Sequence, residues 1–407
     1  MSTQQGNDRL RIAYLTQLDP LDKRSWSGGL YYMGQALQQH CGDVTFLGPL
    51  DFPALSLLSK IRAKLSLVLF KKRYAHSVSL AVAMHWGREV TQKLAGNKFD
   101  VIVAAGGGVE IAYLETSVPI VLVGDSTLAQ LVDYYPWYTH LSRRSIREIG
   151  AIEQQVFKKV RAAIMSSDWA AHSAIQDYSV DPEHVYRVSF GANVATVPTR
   201  EIADARKPSS ICRLLFMGVE WERKGGNIAF ETLLKLEKMG IEAELLVCGC
   251  VPPGGLTHPR MTVIPFLDKN DERQARELEM LYASTTFFIL PTRADCTPFV
   301  FGEAAAFGLP VITSDTGGVA DVVRAGENGY VLPFEARGET FATLIADLYR
   351  DEQRYLRLVQ SSRAAYDERL NWDVWGCQVH DILLKECGHL SLTTPAASSQ
   401  TRRTASK

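Results

Sequence analysis

No run of apolar residues in this sequence is long enough to span a bilayer. The longest are strand-sized, such as LSLVLF at 65–70, against the ~18–20 consecutive apolar residues that a spanning helix needs. An excess of one charge is lacking too. Lys and Arg number 44 against 45 Asp and Glu, a net charge of −1, so no overall field draws the chain to nucleic acid. Cysteine is sparse and odd in number, seven in 407 residues, which fits a reducing cytoplasm better than a disulfide framework. Cys248 and Cys250 form C-x-C, with no matching pair elsewhere; they read as strand packing, and no metal site is expected. The opening MSTQQGNDRL has no apolar core, so no signal peptide is expected. No repeat of solenoid period is found. What is present is ordinary for a globular enzyme: 46% hydrophobic, 22% charged, and enough residues for two or three domains.

Short apolar runs alternate with helical stretches. In the first half LRIAYLT (10–16), DVTFLG (43–48), FDVIVAA (99–105), PIVLVGDST (119–127), RAAIMSS (161–167) and HVYRVSFGANV (184–194) read as strands. Helices are expected at 28–40, 76–95 and 168–178. In the second half ICRLLFMGV (211–219), AELLVCG (243–249), MTVIPFL (261–267), FFIL (287–290) and VIT (311–313) read as strands. Helices are expected at 225–240, 299–307 and 371–387, where Asn371 is a good N-cap, with two more between 338 and 370. Such alternation means parallel, doubly wound sheets, an α/β chain. The polar, proline-bearing 196–210 reads as a linker. It parts a first domain (1–195) from a second (211–370), followed by a last helix (371–390) and a Ser/Thr-rich tail (391–407) expected to be disordered.

The richest stretch is PTRADCTPFVFGEAAAFGLPVITSDT, 291–316. A strand feeds a polar loop, the loop feeds a helix, and Gly308 and Pro310 close that helix. The free N–H groups and dipole at such a helix start favour a phosphate. Asp295 in the loop and Glu303 in the helix can reach one crevice at the carboxyl end of the sheet, where open α/β folds bind ligands. WERKGG at 221–226 adds Lys224, a point charge before a glycine-opened helix, which suits a diphosphate; the alternative is a solvated Arg223–Lys224 turn pair. Gly28 and Gly29 stand at another strand-to-helix connection and allow close approach to a diphosphate or simply a tight turn.

D-x7-E followed by A-x-A-x-G-x-P-V-I, then SDTGGVADVV at 314–323 and GENGYVLP at 326–333, resembles the E-x7-E signature of retaining, GT-B-fold glycosyltransferases of the glycogen-synthase-like type, family 4 (glycosyl transferases group 1). The resemblance covers most of 210–385 well and 10–190 loosely. It implies two Rossmann-like domains facing across a cleft, with the C-terminal helix crossing back to the first domain. It implies transfer of a sugar from a nucleotide-diphosphate sugar, UDP- or GDP-linked, without a metal, to a glycan, a lipid-linked glycan or a small hydroxyl acceptor. By the same resemblance Glu303 would bind the donor ribose and Asp295 the donor sugar. Gly28, Gly29, Arg223, Lys224, Thr297, Pro298, Phe299 and Val300 would border the donor. Three positions depart from the pattern. Asp295 replaces the usual glutamate, Val219 stands where relatives carry an arginine, and Gly124-Asp125-Ser126 replaces a histidine near the acceptor. Arg223 or Arg293 could supply the missing charge; Asp125 is either an acceptor-side group or a capping residue.

Other readings stay open. These departures also permit a catalytically silent GT-B protein that binds a sugar nucleotide or a partner. GGGVEI at 106–111 is an incomplete dinucleotide fingerprint and gives an NAD enzyme little support. YYPWYTH (134–140) could stack on sugars or pack into the protein. Residues 59–74 carry six basic residues and no acid. The 60–73 stretch is either a peripheral membrane contact on the inner face or a solvated helix.

Overall fold

The computed structural model describes residues 9–53 and 71–388, with 61, 63, 64, 67 and 68 between them. Residues 60, 62, 65, 66, 69 and 70 of the basic 60–73 segment and the whole 391–407 tail therefore lie outside the described residues. Two six-stranded sheets carry the chain, and every strand pair in them is parallel. In the first sheet β1 (Leu10–Thr16), β2 (Gly42–Phe46), β3 (Val101–Ala105), β4 (Ile120–Gly124), β5 (Ala162–Met165) and β6 (Val185–Arg187) lie in the order 2-1-3-4-5-6. In the second, β7 (Cys212–Met217), β8 (Ala243–Cys248), β9 (Met261–Ile264), β10 (Phe287–Leu290), β11 (Val311–Ser314) and β12 (Gly329–Leu332) lie in the order 12-11-10-7-8-9. Chain order reverses beside the first strand of each sheet, so the crevice of each opens at the carboxyl ends of its strands.

Burial explains why the apolar runs become strands. Helices cover both faces of each sheet, and β3, β4, β5, β10 and β11 are buried along their whole length, as near-continuous Val/Ile/Leu/Ala/Phe runs require. Two apolar clusters sandwich the first sheet and a larger one surrounds the second. The last helix, Trp372–Cys387, buries Trp375, Val379, Ile382 and Leu383 against the first domain's Leu10, Ile12 and Met33 cluster. Asn371 caps it by accepting from Val374 N at 2.8 Å.

Two stretches differ from their sequence reading. Of 184–194 only Val185–Arg187 is strand. Past Val188 the chain leaves the sheet and crosses to the second domain, with Gly191 against Trp372. The stretch 196–210 is not a bare tether either. Arg200–Asp204 forms a short helix, and Arg206 donates to Tyr282 O at 2.6 Å, to Phe307 O at 3.2 Å and to Thr285 O. The guanidinium supplies the partners that exposed carbonyls at those helix ends need.

Candidate active site

A cavity of about 400 Å³ lies between the carboxyl ends of the two sheets. Its second-domain wall is the loop after β10 and the turn after β7. The short β10 is wholly apolar and buried, so the polar residues that follow it emerge at the sheet edge. Asp295 is nearly buried, and its carboxylate accepts from Lys224 Nζ at 2.7 and 2.9 Å, from Arg223 at 3.3 Å and from Thr292 Oγ1 at 2.7 Å. Lys224 is aimed there by Gly225, which opens the Gly226–Lys238 helix at φ +78°. A Cβ on Gly225 would stand 2.0 Å from Pro291 O, so only glycine lets the two loops approach. Arg223 also donates to Ala294 O at 2.8 Å and to Glu220 at 2.9 Å, and lies over the rings of Tyr135 and Trp137.

Thr297, Pro298, Phe299 and Val300 line the cavity at the start of the Phe299–Ala306 helix. Thr297 Oγ1 shares a 2.7 Å hydrogen bond with Ser166 Oγ of the first domain. The first-domain wall comes from the ends of β1, β3 and β4, including Gln17, Gly106–Gly108 and Asp125. Asp125 is half-buried, and its carboxylate accepts from Ser126 Oγ at 3.3 Å. Burial pushes its carboxyl up to about 6, the charge of Asp295 adds to the push, and the hydrogen bond from Ser126 opposes it.

Three sequence expectations meet a different arrangement. Glu303 does not line the cavity. It is 0% exposed, one oxygen held by Lys269 Nζ at 2.6 Å and the other by Tyr282 O–H at 2.7 Å. Lys269 also donates to Asn193 O, so it covers the carboxylate from the cleft side. Gly28 and Gly29 do not border the cavity either; Trp26 and Ser27 do. A Cβ on Gly29 would lie 2.4 Å from the Phe299 ring, so the glycine pair admits an aromatic plug in which Phe299 stacks on Phe190. Arg293 turns away, over the Phe334 ring and bonded to its carbonyl; the arginine at the cavity is Arg223. Val219 is 60% exposed. After GGG at 106–108 the chain makes turns and enters β4 without a helix, so a dinucleotide fingerprint lacks its helix N-terminus.

No local pattern points to the bridge from Tyr134. Its hydroxyl accepts from Asp295 N at 3.0 Å, donates to Asp295 O at 2.8 Å and shares a bond with Thr316 Oγ1. Tyr134 thus packs on the loop that carries Asp295, while Tyr135, Trp137 and Tyr138 of the same YYPWYTH cluster line the cavity.

Residues 212–351 match the family model described as glycosyl transferases group 1. Over that stretch the second domain is similar to this family. Proteins similar to this chain include a D-inositol 3-phosphate glycosyltransferase of Corynebacterium kroppenstedtii, 22% identical over 56% of this chain and 54% of its own. Another is the amylovoran biosynthesis glycosyltransferase AmsK of Erwinia amylovora, 26% identical over 42% and 44%. The chain spans about half the length of the curated relatives it matches. Among solved structures, sucrose-phosphate synthase of Thermosynechococcus elongatus superposes with a TM-score of 0.63 at 17% identity, covering 95% of this chain and 100% of that one. Anabaena HepE, solved with UDP and glucose, gives 0.60 at 15% identity, covering 93% and 100%. With two parallel six-stranded sheets face to face and a helix crossing back, the fold is GT-B.

Proposed function

We propose that this protein is a retaining, metal-independent glycosyltransferase that moves a sugar from a nucleotide-diphosphate sugar, UDP- or GDP-linked, to a hydroxyl acceptor. The observation that carries the reading is the Lys224–Asp295–Arg223 cluster beside a helix start, at the cleft between the domains. Transfer breaks the bond between the anomeric carbon and the diphosphate oxygen, and forms one to the acceptor oxygen. Negative charge grows on the departing diphosphate. Lys224, Arg223 and the N–H groups at the start of the Phe299–Ala306 helix stabilise it electrostatically. When the diphosphate arrives, the two cations exchange Asp295 for phosphate oxygens, and the freed carboxylate accepts from the donor sugar's hydroxyls. Attack on the face that the diphosphate leaves preserves configuration, and a departing phosphate oxygen takes the acceptor's proton. Glu303 reaches the ribose once Lys269 swings aside. The glycan or lipid-linked glycan stands as an acceptor class beside small hydroxyl compounds.

A thermal-shift screen of UDP-, GDP- and ADP-sugars tests the reading, because a ligand at 100 times its Kd stabilises the fold by about 2.7 kcal/mol. With the stabilising donor, Asp295→Ala should abolish transfer while the nucleotide still binds, Glu303→Ala should weaken donor binding, and a chelator should leave turnover intact. Near-normal turnover in both variants rejects the assignment. The exposed Val219, where relatives carry an arginine, favours as a second reading a binding protein without turnover. Slow donor hydrolysis in the absence of acceptor would exclude it.

A further inference from the structure

The two ends of the cavity differ in charge. Both of its cations, Lys224 and Arg223, come from the second domain and are matched to Asp295 and Glu220. Among the described lining residues, the first domain contributes no lysine, arginine or histidine. It contributes apolar walls, notably Val78, Leu122, Leu131 and Val156, and the carboxylates of Asp125 and Glu153. Glu153 is committed to the fold: it accepts from Leu128 N, Ala129 N and the Tyr178 hydroxyl. Among the described residues no cation lies within ion-pair distance of Asp125, whose carboxylate is held only by Ser126 Oγ and by its own backbone N–H.

A third acid lies beneath this end. Glu110 is fully buried under the Gly106–Gly108 turn. One oxygen accepts from Gln17 Nε2 at 2.7 Å, and the other has no hydrogen-bond partner. Burial raises Glu110 and Glu153 to about 7 and Asp125 to about 6, the response of each carboxyl to its own desolvation. A phosphate placed here would meet the Asp125 carboxylate, and the nearest cations would already hold the donor's diphosphate.

We propose, on the glycosyltransferase reading above, that the acceptor is an uncharged hydroxyl compound with an apolar flank, such as an unphosphorylated cyclitol, sugar or alkyl glycoside. Asp125 is the residue that selects it, accepting a hydrogen bond from an acceptor hydroxyl and repelling phosphate-bearing acceptors. The apolar walls meet the C–H face of a sugar ring or an alkyl chain; the carboxylate meets its hydroxyls.

The test uses matched pairs, myo-inositol against inositol 3-phosphate and glucose against glucose 6-phosphate, with octyl glucoside against glucose to read the apolar flank. UDP or GDP release from the best-stabilising donor gives kcat/KM for each. The neutral member of a pair should exceed the phosphorylated one about 100-fold, since like-charge contacts discriminate strongly. Asp125→Asn keeps the shape and removes the charge, and should shrink that ratio about tenfold. Equal or better use of a phosphorylated member overturns the proposal, as does an Asp125→Asn variant that slows both members alike with the ratio unmoved. Saturation-transfer NMR of the same compounds, without donor, reads the selectivity separately. Thus a chain that no nucleotide sugar stabilises refutes the transferase reading, while preferential binding of a phosphorylated compound refutes this one.

Discussion

Glu110 shows how a single side chain can be at odds with its surroundings. It is fully buried, one of its oxygens is unpartnered, and burial raises its carboxyl from near 4.5 to about 7. Between those values the folded state keeps a proton that the unfolded chain has lost, so stability falls as pH rises through the window and the loss is complete above about 7. Glu110→Gln keeps the acceptor for Gln17 and removes the titration. Relative to the parent, the variant should gain up to about 3 kcal/mol at pH 8 and little at pH 4, read as the difference in Tm at the two pH values. An equal difference at both would reject the account. Residue roles were unevenly legible. Lys224 and Asp295 announced themselves because the glycine-opened helix and the loop after an apolar strand are local patterns. The capping of Glu303 by Lys269 and the clasp of Tyr134 on Asp295 join residues 34 and 161 positions apart, and no local pattern carries such a contact.

Among elements, the strand–loop–helix units were the most readable. Their apolar runs match β3, β4, β7, β8, β10 and β11 closely, since a strand buried on both faces leaves a continuous apolar signature. Element ends were less so, because the departure of the chain after β6 is decided by packing on Trp372 rather than by the residues of 188–194 themselves. The junction of the Gly226–Lys238 helix with the loop after β10 offers a test at this scale. Gly225→Ala must both hold a left-handed backbone and displace Pro291 O, so it should cost at least about 2 kcal/mol and abolish the thermal shift given by nucleotide. Gly240 is also left-handed, at φ +73°, but nothing lies within 4 Å of its added Cβ; Gly240→Ala should cost only about 1 kcal/mol and keep the nucleotide response. Equal effects from the two substitutions would show that steric closeness at 225 is not what aims Lys224.

For the whole molecule, the near balance of charge means that any attachment to an anionic membrane must be local. No helix among the described residues is long and apolar enough to cross a bilayer. If the 60–73 segment meets an anionic surface, each Lys or Arg there is worth about 1 kcal/mol. Reversing Lys60, Arg62 and Lys64 should then abolish co-sedimentation with phosphatidylserine vesicles, and an unchanged pellet would remove the idea. The two-domain plan was legible from the alternation of elements, whereas the way the halves are fastened was not. The backbone passes between them twice, at 191–193 and at 370–372, and the two passages touch: Ala192 N donates to Leu370 O at 3.0 Å, and the Trp372 indole N–H to Asn193 Oδ1 at 3.0 Å. Paired crossings on one edge behave as the pins of a door. A line of attachment along one edge leaves turning about that edge as the relative motion the backbone resists least, and such a turn has to break the Ser166–Thr297 and Tyr134–Asp295 contacts that join the halves across the cleft.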